Sequence, residues 1–334
     1  GNSMRDKIAG ALYGMALGDA MGMPAELWGR KRVKAFFGRI EGFLDGPAEN
    51  DVAFNYKKGQ FTDDTGQALV LLDSIESTDY EPDTRDIALR MLAWAEKENA
   101  FENNILGPTS KVALANFRDN IQDSRITDKA LSNGSAMRIA PIGCLFRPEQ
   151  KEDIARYVYL VSRATHTSDV TIAGAAMIAE AVSSAIVKDD FEKVIEDVFG
   201  IEEIGYGMGC ETFSPRLGER LRIGLDIAGS YKGDDEGFIH KLYDVVGTGV
   251  GIIESVPAAL SVAYYAQDPN LSCLLCANMA GDTDTIGAMA TAVCGAFTGM
   301  GRIKPEYIRT LRQQNDADFD HYIRILEKGR ERFA

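Results

Sequence analysis

Two short acidic stretches hold most of the chemistry this sequence offers. In 59–72, GQFTDDTGQALVLL, Asp63 and Asp64 stand side by side between Thr62 and Thr65, and an apolar run follows at once. Adjacent carboxylates repel each other, so the pair needs a reason. One is capping: Thr62 opens a helix whose positive end favours the acids. The other is that something cationic sits on them. More than 200 residues later, Gly281-Asp282-Thr283-Asp284-Thr285 crowds carboxylates and threonines onto the start of a second, small-residue helix. One such start is a cap. Two, each backed by an apolar helix, point to partly buried acids facing a common point. A further acid, Glu26, closes GDAMGMPAE after the first helix.

Together these groups would carry about five negative charges, which a pocket of low dielectric holds only with large pKa shifts or counter-ions. A pair of divalent cations would neutralise most of that charge. Oxygen donors with no His or Cys among them select hard ions such as Mg²⁺, Mn²⁺ or Ca²⁺. The helix dipole opposes a cation at an N-terminus, and the acids must outweigh it.

The elements that would position these residues read as helices almost throughout: 6–20, 66–77, 84–99, 110–119, 151–164, 168–187, 213–228, 256–266, 271–279, 285–298 and 305–329. Small residues recur every three or four positions, as in Ala173-Gly174-Ala175-Ala176, which lets helices approach closely. Alternating strand patterns are scarce and no βαβ rhythm appears. No linker, low-complexity tract or repeat divides the chain, so one compact all-α domain over 4–334 is expected. Gly1-Asn2-Ser3 before Met4 reads as an expression scar.

Composition narrows the function. With 45% apolar and 26% charged residues the chain is globular, and a net charge of −14 argues against nucleic acid or an anionic membrane as the main partner. No apolar run approaches the roughly 20 residues needed to span a bilayer. Five scattered cysteines suit a reducing cytoplasm better than a disulfide framework. Cys273 and Cys276 have the CxxC spacing, but stand in a helix without a second pair or a nearby histidine, and read as core. Gly247-Thr248-Gly249-Val250-Gly251 approximates a dinucleotide fingerprint but puts Ile252 at the third glycine. Asp316, Asp318, Asp320 and Glu327 fit calcium-loop positions, yet His321 replaces the turn glycine and the segment reads as one continuous amphipathic helix with a solvated face.

Five motifs in fixed order, GALYGMALGDAMGMPAE, FTDDT, NGSAMRIAPIG, THTSD and GDTDTIGAMA, resemble the ADP-ribosylglycohydrolase family from about residue 8 to about residue 301. That family includes the glycohydrolase that reactivates ADP-ribosylated dinitrogenase reductase. The resemblance implies a compact, single-domain orthogonal helical bundle with two Mg²⁺ or Mn²⁺ ions at the bottom of a cleft. It also implies cleavage of the α-glycosidic bond to the distal ribose of an ADP-ribosylated protein or small molecule. Metal ligands would be Thr62, Asp63, Asp64, Asp282, Asp284 and Thr285, with Glu26, Asp63 and Asp284 at the chemistry, and Asp19 structural or one shell out. The substrate loop falls on Asn133, Gly134, Ser135, Met137 and Arg138, where small residues opening a helix would offer N–H groups to a pyrophosphate. A plain glycine turn, a buried ion-pair Arg138 and a core Met137 are the competing readings of that loop.

His166 aligns with a histidine near the ribose or phosphate, and reads equally as structural. Gly107 and Thr109, in Gly107-Pro108-Thr109-Ser110, resemble another ligand-facing loop. The stretch 205–216 matches no ligand motif; a place on the acceptor side is one reading of it, and the leaving group stays undetermined by the sequence. The alternatives are a non-catalytic relative, whether crystallin-like or an ADP-ribose-binding module, and a hydrolase of a related small ribosyl metabolite. A purely structural role needs no clustered carboxylates.

Overall fold

The first helix, Met4–Gly22, has a glycine at every fourth position from Gly10 to Gly22. Those glycines form one face, and that face lies directly on the helix Thr283–Thr298. A Cβ at Gly18 would collide with the carbonyl oxygen of Gly287, and one at Gly295 with that of Gly10, so the two backbones touch. Glycine weakens an isolated helix by roughly 0.5–1 kcal/mol per residue. Here dispersion along two touching backbones offsets that cost. The contact brings the turn after Gly22, which carries Glu26, against the start of the second helix, which carries Asp282 and Asp284.

The computed structural model describes residues 3–103 and 105–334. Gly1 and Asn2 of the expected scar lie outside them, whereas Ser3 caps the first helix by accepting from Asp6 N–H at 3.2 Å. The described residues are helical with no strand; three isolated bridges, Trp28 with Gly281, Ser132 with Gly251 and Ser168 with Cys210, are their only β pairings. The all-α expectation holds.

Behind the glycine pair runs Asp169–Val187, buried from Val170 to Ile186. It corrects the expectation that no segment is apolar and long enough to span a bilayer: by length and hydropathy it is, but 94% of its apolar window is buried inside the protein. Helices absent from the sequence reading occupy Arg30–Phe37, Phe191–Tyr206 and Asp235–Val245. The expected helix at 213–228 begins only at Leu217. The expected continuous helix 305–329 is two, Pro305–Gln314 and Phe319–Phe333. Asn315 ends the first because its side chain is needed elsewhere: Oδ1 accepts from Phe61 N–H at 3.1 Å, and Nδ2 donates to the carbonyl of Gly59 at 2.9 Å. Asp318 then caps the second, accepting from His321 N–H at 3.1 Å. Asp316, Asp318 and Asp320 are exposed, as a solvated face requires. Cys273 and Cys276 are buried free thiols in the core.

Candidate functional site

The helix Asp63–Ser77 starts against the other two, and its first turn meets the first turn of Thr283–Thr298. Thr285 Oγ1 donates to Asp64 Oδ2 at 2.6 Å, and Thr62 Oγ1 lies 3.0 Å from both Asp64 Oδ1 and Asp284 Oδ2. The two acidic stretches therefore meet, as expected. Thr62 does not cap its own helix, however. That role falls to Asp19 on the first helix, whose Oδ2 accepts from the N–H groups of Thr62 and Thr65, each at 3.1 Å, and from Thr65 Oγ1 at 2.7 Å. Its Oδ1 accepts from Thr62 Oγ1 at 2.7 Å.

Asp282 is aimed by a strained turn. Ala280 and Gly281 have φ of +72° and +84°, the left-handed region that costs a non-glycine residue such as Ala280 energy. Leu27 N–H donates to the Gly281 carbonyl at 2.7 Å, and Gly281 N–H to the Trp28 carbonyl at 2.9 Å, so the Glu26 turn and the Asp282 turn are stitched together. From the other side Asp282 N–H donates to the Thr248 carbonyl at 2.6 Å. The glycine-rich 247–251 loop is thus an anchor beneath the site and not a nucleotide fingerprint.

Burial first, and mutual repulsion second, raise the affinity of these acids for protons. Asp19 is pushed up to about 8 and Asp282 to about 6, with Asp64 the principal repelling neighbour of each. Glu26, Asp63 and Asp284 are held well above the usual carboxylate range, chiefly by burial and then by Asp282, Asp64 and Glu26 respectively. Two sets of carboxylate oxygens, Asp19 with Asp64 and Asp284, and Glu26 with Asp282 and Asp284, lie within 4.8 Å of one another. Asp284 belongs to both, and its Oδ1 is buried without a hydrogen-bond partner. An orphaned carboxylate oxygen at the junction of two all-oxygen clusters fits a hard divalent cation. Asp63, named as a ligand from sequence, belongs to neither set and stands on the cavity wall. Of Asp19's roughly four lone-pair sites, the threonine donors already fill most.

A cavity of about 130 Å³ is lined by the acids Glu26, Asp63, Asp64 and Asp282 together with Pro108, Ser110, Ser132, Asn133, Gly134 and Met137, and by Leu27, Val52 and Val250. Asn133 and Gly134, expected in the substrate loop, line the cavity. Asn133 has a second duty: its Nδ2 donates to Asp282 Oδ2 at 2.7 Å and to Ser255 Oγ at 3.1 Å, which fixes the acid. At Gly134 a Cβ would lie 2.8 Å from His166 Cε1 and 3.0 Å from Ser110 Oγ, so only glycine fits.

Other expectations need correction. Ser135 turns its hydroxyl away from the cavity onto Ser162 Oγ, because the short 3-10 turn Ala136–Arg138 directs it into the core. Thr109 does not line the cavity; it accepts from Ser132 Oγ at 2.7 Å, while the neighbouring Ser110 is a lining residue whose buried Oγ has no partner. Gly107 lines the cavity as the cap residue of the helix Pro108–Arg118. Met137 is both core and wall. Arg138 is 2% exposed and makes no ion pair within 4 Å among the described residues; its guanidinium donates to Gln67 Oε1 at 2.9 Å and Thr165 Oγ1 at 2.7 Å. His166 is fully buried beneath Gly134. The 205–216 stretch pairs with 167–169 through Cys210 and contributes nothing to the cavity wall, so it does not shape the acceptor side there. A neighbouring hollow of about 340 Å³, sharing Val52 and Ile105, brings in Tyr56, whose phenol is pushed well above its usual range by burial and then by Asp63.

Comparison with known proteins gives a consistent result. The sequence model described as ADP-ribosylglycohydrolase matches residues 1–332. The Escherichia coli K12 protein YegU, uncharacterized by its own description, is 44% identical over 327 residues, covering 98% of each chain. The ADP-ribosylarginine hydrolase Tri1 of Pseudomonas putida GB-1 is 26% identical over 309 residues, 91% of this chain and 73% of Tri1. A solved structure described as an ADP-ribosylglycohydrolase-related protein complex superposes with a TM-score of 0.70 at 22% identity, covering 98% of this chain and 99% of the other; it shares the fold.

Proposed function

Since this chain belongs to the ADP-ribosylglycohydrolase family, we propose that it is a divalent-metal-dependent hydrolase that releases ADP-ribose from an α-linked ADP-ribosyl adduct. The observation that carries the reading is the cavity itself: it is lined by Glu26, Asp64 and Asp282 of the carboxylate clusters that meet at Asp284 behind it, and also by Ser110, whose buried Oγ is unpartnered. A ligand with a ribose at one end and a diphosphate at the other matches that polarity.

Asp64, Asp282 and Asp284, with Glu26, are the residues that would hold the ions, which we take to be two Mg²⁺ or Mn²⁺. Bound divalent ions would supply Lewis acidity and a more acidic water. Ser110 and the start of the Pro108 helix would hold the diphosphate, and the glycine at 134 lets His166 and Ser110 pack against that turn. Glu26 is the cluster acid that keeps some exposure and lines the cavity, so it is placed to move a proton. In the hydrolysis the water oxygen bonds to C1″ and the bond from C1″ to the leaving atom breaks. That electron pair stays on the leaving atom, and Glu26 Oε relays the proton lost by water to it.

Glu26, Asp64 and Asp282 line the cavity together, so a ribose seated against them would turn one face towards them, which supports selectivity for one anomer. ADP-ribosylarginine, the substrate in Tri1's description, is the first adduct to test. The experiment compares ADP-ribose release from a panel of α-linked adducts with nicotinamide release from β-NAD under identical metal conditions. Turnover of at least one α adduct with NAD spared supports the reading. Tight ADP-ribose binding with no turnover across the panel would make the protein a binding module.

A further inference from the structure

A chain of buried polar groups runs behind the cavity. Arg138 Nη2 donates to Thr165 Oγ1 at 2.7 Å, and Thr165 Oγ1 lies 2.7 Å from His166 Nδ1. On the far side of the ring, His166 Nε2 is 3.0 Å from Ser132 Oγ, which donates to Thr109 Oγ1 at 2.7 Å. Arg138, Thr165 and His166 are all at most 2% exposed.

Two features give this chain a direction. A guanidinium only donates, so Thr165 Oγ1 accepts from Arg138 and keeps its own proton to give. The nearest good acceptor is His166 Nδ1 at 2.7 Å; the alternative, the Ser162 carbonyl, is 3.5 Å away. At the other end, Ser132 spends its proton on Thr109, so it must accept from His166 Nε2. Both arguments require neutral His166 with its proton on Nε2. The charged form is opposed as well, since burial and then Arg138 hold His166 well below its usual range.

We propose that the Arg138–Thr165–His166–Ser132–Thr109 chain is a one-way hydrogen-bond relay that locks the His166 tautomer and ties Ser132, on the cavity wall, to the start of the Pro108–Arg118 helix. Thr109 Oγ1, having accepted from Ser132, is left with its proton to offer. The adjoining Ser110 Oγ is buried and has no partner in the protein. The relay ends at Thr109, outside the cavity lining, so the start of the Pro108 helix is held beside Ser132 and brings Ser110 to the cavity, backed by the positive charge of Arg138 through four hydrogen bonds. Arg138, Thr165 and His166 are positioning residues. In a medium of low dielectric such chains polarise cooperatively. The inference rests on the proposed binding of an ADP-ribosyl group only for the identity of the anion.

The test uses ¹⁵N-histidine-labelled full-length protein without ligand, with His166 identified as the ring signal lost in His166→Gln. Long-range ¹H–¹⁵N correlation should show a neutral Nε2–H tautomer throughout the pH range 5 to 8. Thr165→Val should mix the tautomers and weaken ADP-ribose binding by about tenfold, with divalent-ion affinity unchanged, and Thr165→Ser should restore both. If Thr165→Val does not fold, Ser132→Ala serves instead: ADP-ribose affinity should fall while the tautomer is kept. An Nδ1–H tautomer in the wild type overturns the relay, as does a variant whose affinity for ADP-ribose is unchanged. The tautomer needs no ligand, so a wild type that shows Nε2–H but binds no ADP-ribose would sink the functional reading and not the relay.

Discussion

Asp19, on the first helix, caps a helix that begins 44 residues later: its Oδ2 accepts from Thr65 N–H at 3.1 Å and from Thr65 Oγ1 at 2.7 Å. The first turn that carries Asp63 and Asp64 is therefore held by a residue from another element.

Replacing Asp19 separates its two properties. Asp19→Ala removes the cap and should lower stability by about 1–2 kcal/mol. Asp19→Asn keeps an acceptor for the Thr65 donors and removes one charge from a crowded cluster, so the metal-free protein should melt at or above the wild-type temperature. Thermal melts of both variants after chelation check this. Equal losses in the two would mean that the charge of Asp19, and not its hydrogen bonding, holds the turn.

Divalent metal should stabilise the native state, since ions bound by the clusters relieve repulsion that only the folded chain suffers. Chelation should lower the melting temperature, and Mg²⁺ or Mn²⁺ should restore it. A chelation-insensitive melt together with full activity after exhaustive chelation would remove the metal from the account.

A pH dependence arises far from the cavity. Glu180 is buried in the Asp169–Val187 helix with neither carboxylate oxygen hydrogen-bonded, and the nearest cation, Lys151 Nζ, is 3.5 Å away and closer to Asp197 at 2.9 Å. Burial pushes Glu180 up from 4.5 to about 9. Because the folded value is the higher one, the folded protein keeps a proton that the unfolded chain loses. The stability tied to that proton is complete below about 4.5 and drains away as pH rises towards 9. Glu180→Gln should therefore be nearly neutral at pH 5 and stabilising at pH 8, gaining at most about 1.4 kcal/mol per pH unit. Denaturant melts at the two pH values measure the difference. An equal effect at both would show that Glu180 does not titrate in this way.

Much of the site was legible because its signals are local. Acids at helix starts, threonines beside them and an NGS turn are short-range patterns, as is the small-residue spacing of 173–176 that lets helices approach closely. What escaped depends on tertiary contact. Nothing near Asp19 shows that it will cap a helix 44 residues on, or near Asn133 that it will bond Asp282, 149 residues away. Ser135 and Thr109 depend on backbone direction: successive side chains in a helical turn are about 100° apart, so Ser135 bonds Ser162 and Thr109 bonds Ser132 while their neighbours Gly134 and Ser110 line the cavity. The Phe191–Tyr206 helix, absent from the sequence reading, carries local signals all the same: Asp190 caps it, and Phe191, Val194, Ile195 and Val198 keep the helical period.

The central claim is that the carboxylates joined at Asp284 are a catalytic centre for ADP-ribosyl hydrolysis. The most direct measurement is single-substrate turnover of the best α-linked adduct by wild type and Asp284→Asn, titrated with Mg²⁺ and Mn²⁺ alongside ADP-ribose binding. The variant keeps the side chain's shape and removes the charge common to both clusters. It should lose turnover by about a hundredfold or more, while folding normally and still binding ADP-ribose. Near-wild-type turnover by Asp284→Asn at limiting metal would contradict the account.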